Sequence, residues 1–559
     1  MDEIGCDVME MNKSTWLPHL TSEVVFDARG PELCAYAVAL EGWRRGLTLR
    51  WHAEYSEKFK RLKTWNVDSP GKLFSLSSND KTHYFFRTRG DKVTNEAVEI
   101  GGDKELTKII LSKHGIPVPE GKRFKEDIRD DEIVRYVSDI GYPVVIKPTD
   151  GSFGRGVVTN IRDEDSLVNA LNYVRQRLNM KDILIERHIP GKEYRLYVVG
   201  DQVVGALHRV PANVVGDGVH SIRQLIDMKN EERKKNPRLC SCLIVVDQEL
   251  INYLQASDKK LESIPKKGER IFLRDKSNVS LGGDPIDVLD ELPDEIKTTA
   301  VMALKAIPGL PHGAVDIIVD ERQPLDYAAT VLEVNPTAQI GSLLFPLKGQ
   351  ARDIPSAIVD YYFPETKEVD TDKAKIYFDF HSVLEPLRSK SATVTKVSPA
   401  PVGKIYAKKY IVSGIVQDIN YHRGLRKQAF ERGLSGFVSN LDDGKIEVVV
   451  AGTDYEKVNE YKEAIFGDPE RSQVLKIEEE CWNQPIKIGF EVGKVSHAVK
   501  MKNLADEMKK IKQEIKVLEK ERKRAESHYN LYRRSSSWIL TYPIRKVADL
   551  LKYIFRKIA

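Results

Sequence analysis

The feature that most narrows the folds open to this chain is the run at residues 144–157, VVIKPTDGSFGRGV. Its apolar, β-branched start reads as a buried strand, and it ends in a lysine at the mouth of a loop with glycines at 151, 154 and 156. Such a loop suits a triphosphate. Gly151, Gly154 and Gly156, with Ser152 among them, let backbone N–H groups approach anionic oxygens without a Cβ in the way, while Lys147 and Arg155 add compact and forked positive charge. The same letters also fit a plain glycine hairpin. What lies in order around them decides between the two.

The 559 residues leave room for roughly three or four domains, each with its own core. Lysine plus arginine (87) nearly balance aspartate plus glutamate (83), so no overall basic field points to nucleic acid as a partner. The five cysteines are scattered, which fits reduced thiols better than a disulfide framework. Cys240 and Cys242 form a lone C-x-C and read as packing residues. The first residues carry acids and no apolar stretch of a secretory signal, and no window approaches the ~18 apolar residues of a membrane span. A cytoplasmic protein is expected.

Residues 1–100 mix short apolar runs at 24–26, 47–51 and 84–86 with one helical pattern over 31–45, a small α/β domain. From Asp103 an amphipathic helix runs until Gly115 and Pro117 stop it. Strands and helices then alternate to about residue 365. Residues 366–400 carry charges, serines and prolines and read as a linker. A β-rich segment occupies 401–493, and charged helical sequence follows as 494–534 and 535–559.

Downstream of the loop, the strand-like ILIE ends at Glu186 and is followed by RHIPGKE, a turn that reaches Glu193. Its backbone can offer groups to an adenine edge, and Glu193 lies where a carboxylate can hold ribose hydroxyls. Further on, Asp316 falls in AVDIIVD and Glu333 and Asn335 fall in VLEVNP, two strands of one hairpin joined through 321–326. Residues 333 and 335 share a strand face. With Asp316 on the paired strand they make three hard oxygen ligands of the kind Mg²⁺ takes alongside phosphate oxygens.

On these motifs, residues 101–365 resemble the ATP-grasp superfamily. The resemblance implies that Lys104, with Lys108 as the alternative, and Lys147 contact ATP phosphates under the 151–156 loop. It implies that Glu186 and Ile189 meet the adenine through their backbone and Glu193 the ribose. Asp316, Glu333 and Asn335 would hold two Mg²⁺ ions, with Mn²⁺ as a substitute. Within the superfamily, YRLYVVGDQVVGALHRVPANVVGDGVHSI and FLRDKSNVSLGGDPIDV are similar to the amino-acid-ligase region of cyanophycin synthetase. Arg195, Arg209 and Arg274 match its arginines, and Asn278, Ser280 and Gly282 its N-x-S-x-GG turn. The second stretch is also similar to ligases that add glutamate to protein ends. The implied chemistry is phosphorylation of a carboxylate by ATP and displacement of phosphate by an amine, with Arg274, Arg209 or Arg195 stabilising an oxyanion or clamping a carboxylate.

The segment from about 401 to 493 resembles acylphosphatase, a ferredoxin-like sandwich. Asn440 falls on that family's water-positioning asparagine. Its phosphate arginine is replaced by His422, with Arg423 one place later, and Asp418 stands where the loop glycine belongs. A histidine lacks the guanidinium fork, which puts hydrolysis in doubt. In the tail, Met501, Leu504, Met508, Ile511, Ile515 and Leu518 form a short coiled-coil seam that suits a homodimer. Residues 538–559 read as a basic amphipathic helix for the inner membrane face or for a protein partner, and the pattern at 537–545 resembles tails of bacterial polysaccharide-assembly proteins. The fold class is therefore multidomain α/β and α+β. Three functions stand: a carboxylate–amine ligase acting on small molecules, an acylphosphatase, and a nucleotide-binding scaffold.

Overall fold

The computed structural model describes residues 16–493 apart from 150–155, 370, 418–420, 442 and 467–472, together with Arg522. Helix Gly30–Arg44 opens with Pro31 in its first turn, where its missing N–H costs nothing. It has no polar face, since Leu33 through Leu40 are all buried. A helix of that kind must be covered on every side. The antiparallel sheet Val394–Lys396, Thr48–His52, Leu73–Ser77, Thr82–Phe86, Arg89–Gly90 lies against it, and so does helix Ile354–Tyr362. The apolar run at 24–26 forms buried turns.

The edge strand Val394–Lys396 corrects the expectation of a linker over 366–400. It pairs with Thr48–His52 through Arg50↔Lys396 and Trp51↔Thr395. Just before it, helix Phe380–Arg388 turns Phe380, Leu384 and Leu387 into the same core. Phe378 meets the rings of Tyr36 and Trp43 at 5.1 and 5.3 Å, and Phe380 meets Trp51 at 5.2 Å. Burying those two phenylalanines contributes roughly 3–6 kcal/mol. Of the charges that suggested a linker, Lys367, Glu368, Glu385 and Lys390 face solvent, whereas Lys373 pairs with the buried Glu41 and Asp379 with Lys487.

Two sheets follow. In the smaller, antiparallel one the order is Gly121–Phe124, Ile183–Arg187, Val144–Pro148, Val158–Ile161. Helices Asp130–Ile140 and Glu164–Leu171 bury Ile133, Val137 and Leu167 against it. Residues 188–191 then carry the chain to the larger sheet, ordered Asp284–Asp287, Gln202–Val210, Lys192–Val199, His312–Val319, Ala329–Asn335. Gly191 makes that crossing close to the larger sheet, since a Cβ there would lie 2.3 Å from Val319 O. On one face of the larger sheet Leu196, Val198, Val315, Ile317 and Val331 pack with helix Asp294–Lys305. The other face carries Arg195, Asp316 and Glu333, and farther along Tyr197 and Ala314 join the N-terminal core. Between Gln202–Val210 and Asp284–Asp287 sits an insertion with its own core of Val214, Ile226, Leu250, Leu254 and Leu273.

The last sheet runs Gln473–Cys481, Tyr406–Ile415, Ile446–Gly452, Ser435–Asn440, Phe490–Val492. Helices Tyr421–Glu431 and Tyr455–Phe466 cover one face with Leu425, Val458 and Tyr461. Phe437, Val449 and Ala451 join the N-terminal core from this sheet, so its second face is buried at the strands Ile446–Gly452 and Ser435–Asn440. The cysteines Cys34, Cys240, Cys242 and Cys481 are free thiols, with Cys242 packed against Leu239 and Val279. No helix among the described residues is long and apolar enough to cross a membrane. The seam at 501–518 and the helix at 538–559 lie outside the described residues.

Candidate active site

Lys147 stands one residue before the end of strand Val144–Pro148, diagonal to Glu186 on the neighbouring strand. Its Nζ is 2.5 Å from Glu186 Oε2, and Lys108 Nζ pairs with the other oxygen, Oε1. Lys108 reaches there from helix Lys104–Lys113, whose N-terminus is set by Asp103 accepting from the N–H groups of Glu105 and Leu106. Lys104, one turn earlier on the same helix, donates to Pro148 O at 3.5 Å. Burial alone would push the Glu186 carboxyl up, but Lys147 and Lys108 outweigh it and hold the group ionised. Two ammonium groups on one carboxylate leave local positive charge at the end of strand Val144–Pro148.

Lys108 is thus in the cluster beside Lys147, and Lys104 points to the strand's end. The Glu186 side chain positions both lysines, a task that the expectation of a backbone contact had not included. The clue was available: Lys104 and Lys108 are four residues apart and share a helix face. Of the loop itself, Gly151, Ser152, Gly154 and Arg155 lie outside the described residues. Gly156 has φ +75°, and a Cβ there would meet Pro148 Cγ at 2.7 Å and Met180 Sδ at 2.8 Å. Glycine is therefore required where the loop rejoins the sheet. Ile189 is half-buried within the crossing.

The crossing leads to the oxygen set. Arg195, Asp316 and Glu333 are register partners across three adjacent strands. Arg195 Nε and Nη2 each donate to Asp316 at 2.7 Å, and Arg209 Nη2 donates to Asp316 Oδ2 at 3.0 Å. Arg209 also pairs with Glu193, the expected ribose carboxylate. Asn335 Nδ2 donates to Glu333 Oε1 at 3.0 Å, which keeps both side chains on the shared face. The Asp316 carboxyl is buried, but Arg195 and Arg209 hold its pKa well below the usual range. Enclosure and the neighbouring Asp316 charge push Glu333 up. All three donors are oxygens, as Mg²⁺ requires, and the repulsion between Asp316 and Glu333 is of the kind a divalent cation offsets. The residues fit the ion.

Arg274 is 2% exposed. Its guanidinium donates to Val245 O at 3.0 Å, Asp247 Oδ2 at 2.8 Å and Glu249 Oε2 at 3.2 Å, which ties its loop to the start of helix Gln248–Ala256. The expected substrate arginine is thus a fixed part of the insertion. The next residue, Asp275, accepts from Thr159 Oγ1, so the loop reaches the smaller sheet. Asn278 O receives the Leu281 and Gly283 N–H groups at 3.0 and 3.1 Å, and Gly282 takes φ +95° to close the turn after Ser280.

Residues 101–227 match the RimK-like ATP-grasp domain. The chain carries an ATP-grasp domain. ATP-grasp ligases use ATP and Mg²⁺, in keeping with the lysine cluster and the oxygen set. Among relatives, cyanophycin synthetase of Crocosphaera subtropica is 34% identical over 273 residues, 48% of this chain and 31% of that protein. Glutathione biosynthesis bifunctional protein GshAB of Clostridium perfringens is 33% identical over 318 residues, 55% of this chain and 40% of that one. A crystal structure of a bifunctional glutathione synthetase from Pasteurella multocida aligns at 29% identity with a TM-score of 0.41, covering 53% of this chain and 41% of that one. The chain therefore spans between about a third and two fifths of the relatives it matches.

Residues 408–492 match acylphosphatase, beside the ATP-grasp domain. The expected catalytic asparagine, Asn440, ends strand Ser435–Asn440 and is exposed. His422 lies in the first turn of helix Tyr421–Glu431, half-buried, and Arg423 is exposed. Asp418 lies outside the described residues. Gln417 Nε2 donates to Leu441 O at 3.2 Å and to Lys445 O at 2.8 Å, which ties the end of the first strand to the hairpin beside Asn440.

Proposed function

We propose that this chain is an ATP-dependent carboxylate–amine ligase that forms an amide through an acyl phosphate. The observation that carries the reading is the single crossing at 188–191, which brings the Lys147–Glu186–Lys108 cluster and the Asp316–Glu333–Asn335 oxygen set to its two ends. Lys147, Lys104 and Lys108, with Gly151, Ser152, Gly154, Arg155 and Gly156, hold the phosphates. Backbone groups of Glu186 and Ile189 take the adenine, and Glu193 the ribose. Asp316, Glu333 and Asn335 hold two Mg²⁺ ions, which when bound neutralise charge on the transferring phosphoryl. A substrate carboxylate oxygen bonds to the γ-phosphorus as ADP leaves. The amine nitrogen then bonds to the acyl carbon, releasing phosphate and a proton. Arg195 and Arg209 lie beside Asp316, where they stabilise the tetrahedral oxyanion, and Arg274 stiffens the loop over the phosphates.

Amino acids and cell-surface precursors are the substrate classes that the sequence resemblances favour. The acylphosphatase-like domain serves binding or structure, since His422 and Asp418 replace the guanidinium and glycine of a phosphate cradle. The tail segments 501–518 and 538–559 serve a dimer contact and a membrane or partner contact respectively. The deciding experiment measures ADP release against pools of acids and amines. Release should require Mg²⁺ and both substrates, and Lys147→Ala or Glu333→Ala should lower it on the order of 100-fold. Undiminished turnover in both variants overturns the reading.

A further inference from the structure

Two guanidinium groups that the activation chemistry leaves unused belong to the surroundings of the loop after strand Ala329–Asn335, Arg238 against Gly341 and Arg87 through Cys34. Residues 336–341 continue directly from Asn335, and three separate parts of the fold hold them. Thr88 Oγ1 donates to Ala338 O at 3.0 Å. The Ile340 N–H donates to the buried Cys34 Sγ at 3.3 Å. The Arg238 side chain lies on Gly341, where a Cβ would come 2.7 Å from Arg238 Cδ. Arg87 precedes Thr88 in the N-terminal domain, and Arg238 belongs to the insertion. Burial pushes the Cys34 thiol up, and the charges of Arg238 and Arg87 partly offset that rise.

Arg87 is an unusual residue for its position. Phe86 pairs with Arg89, so Arg87 and Thr88 form a two-residue hairpin turn, and Arg87 takes φ +60°. That left-handed position usually goes to glycine or asparagine. Among the described non-glycine residues with positive φ it is the one arginine. Its guanidinium stands over the Trp65 and Phe86 rings, 5.7 and 4.8 Å from their centroids, and its Nε is buried without a hydrogen bond. Arg238 Nη1 donates to Cys242 Sγ at 2.8 Å and Ser241 Oγ at 3.4 Å, and its Nε too is buried without a partner. Among the described residues neither arginine forms an ion pair with a carboxylate. Half-buried guanidinium groups with only neutral partners favour the arrival of an anion.

We propose that Arg87 and Arg238 bind a substrate carboxylate beside residues 338–341, so that the substrate carries a carboxylate in addition to the group that reacts. The proposal rests on the ligase reading for its place in the reaction. Ala338 is three residues past Asn335, so their Cα atoms are within about 11 Å of each other. That span suits an amino acid or short peptide whose reacting end lies at the oxygen set and whose free carboxylate lies at the arginines. Either the activated acid or the attacking amine can supply that carboxylate.

The test is a calorimetric titration of the full chain, with Mg²⁺ and a non-hydrolysable ATP analogue. The probes are L-glutamate, L-aspartate and glycylglycine, each compared with its α-amide or C-terminal amide. At least one acid should bind tenfold or more tightly than its amide. Arg87→Met and Arg238→Met should each remove that preference, and Arg87→Lys should keep part of it. Nucleotide affinity should change less than twofold in all three. Arg87→Gly, which relieves the left-handed φ, should lose the preference with a Tm no lower than that of the unsubstituted chain; a merely structural arginine would give the opposite. Acids and amides that bind alike, acids that do not bind, or a preference that survives both methionine variants would overturn the proposal. Titration needs no turnover, so this site and the ligase reading can fail separately: the latter is decided by acid-dependent ADP release and the Lys147 and Glu333 variants.

Discussion

At the residue scale the site is organised by buried carboxylates that hold cations in place. Glu186 accepts Lys147 and Lys108, and Asp316 accepts Arg195 and Arg209. Removing one partner of a buried pair leaves an uncompensated charge, which costs about 3–5 kcal/mol. Glu186→Leu should therefore lower stability by about that amount in urea denaturation, and also weaken ATP binding because Lys147 and Lys108 lose their anchor. Histidines supply a second check. His312, enclosed by Tyr197 and Tyr362, is lowered by burial from 6.5 to about 3, with Arg89 and Lys92 adding to the effect. The unfolded chain takes up its proton below 6.5 and the folded chain does not until about 3. This part of the stability is complete above the unfolded value and falls by about 1.4 kcal/mol per pH unit as the pH drops through that window. His52, lowered by burial to about 4, titrates in much the same window, so denaturation measured between pH 6 and pH 4 should show stability falling with acid, and His312→Gln should reduce that slope by about 1.4 kcal/mol per pH unit without abolishing it.

At the element scale, legibility followed length and period. The strand at Lys147, the hairpin bearing Asp316 and Glu333, and the helix after Asp103 announce themselves because their apolar positions recur with a strand or helix period over enough residues. Helix Phe380–Arg388 does not, because nine residues give only three core positions, Phe380, Leu384 and Leu387, diluted by charged and serine neighbours. Its contribution is decided by partners far away in sequence, Trp43 and Trp51 among them. Phe380→Ala should cost about 3–5 kcal/mol and lower the Tm of the whole compact unit, a loss no linker residue would cause. The two-residue turn at Arg87 was equally hidden, since nothing in the local letters marks a left-handed arginine.

At the scale of the molecule, the N-terminal, ATP-grasp and acylphosphatase-like regions belong to one compact unit ending at Val492. The acylphosphatase-like sheet gives its second face to the N-terminal core through Phe437, Val449 and Ala451. That face favours a structural task over an independent catalytic one. The full chain should release no phosphate from benzoyl phosphate above the buffer rate; release that falls on Asn440→Ala would show that the domain is an enzyme.

The sequence alone determined the order and chemistry of the motifs. A lysine strand into a glycine loop, the hairpin with three oxygen donors and the altered phosphate cradle are each local, carried by residue types at fixed spacing along one or two strands. Only the tertiary structure decided which lysines share Glu186, that Asp316 is held by two arginines, that Arg274 belongs to the insertion's framework, and that Arg87 and Arg238 belong to the surroundings of one loop. Those pairings join residues tens to hundreds of positions apart. Register, burial and crossing connections fix them, and no local pattern encodes those.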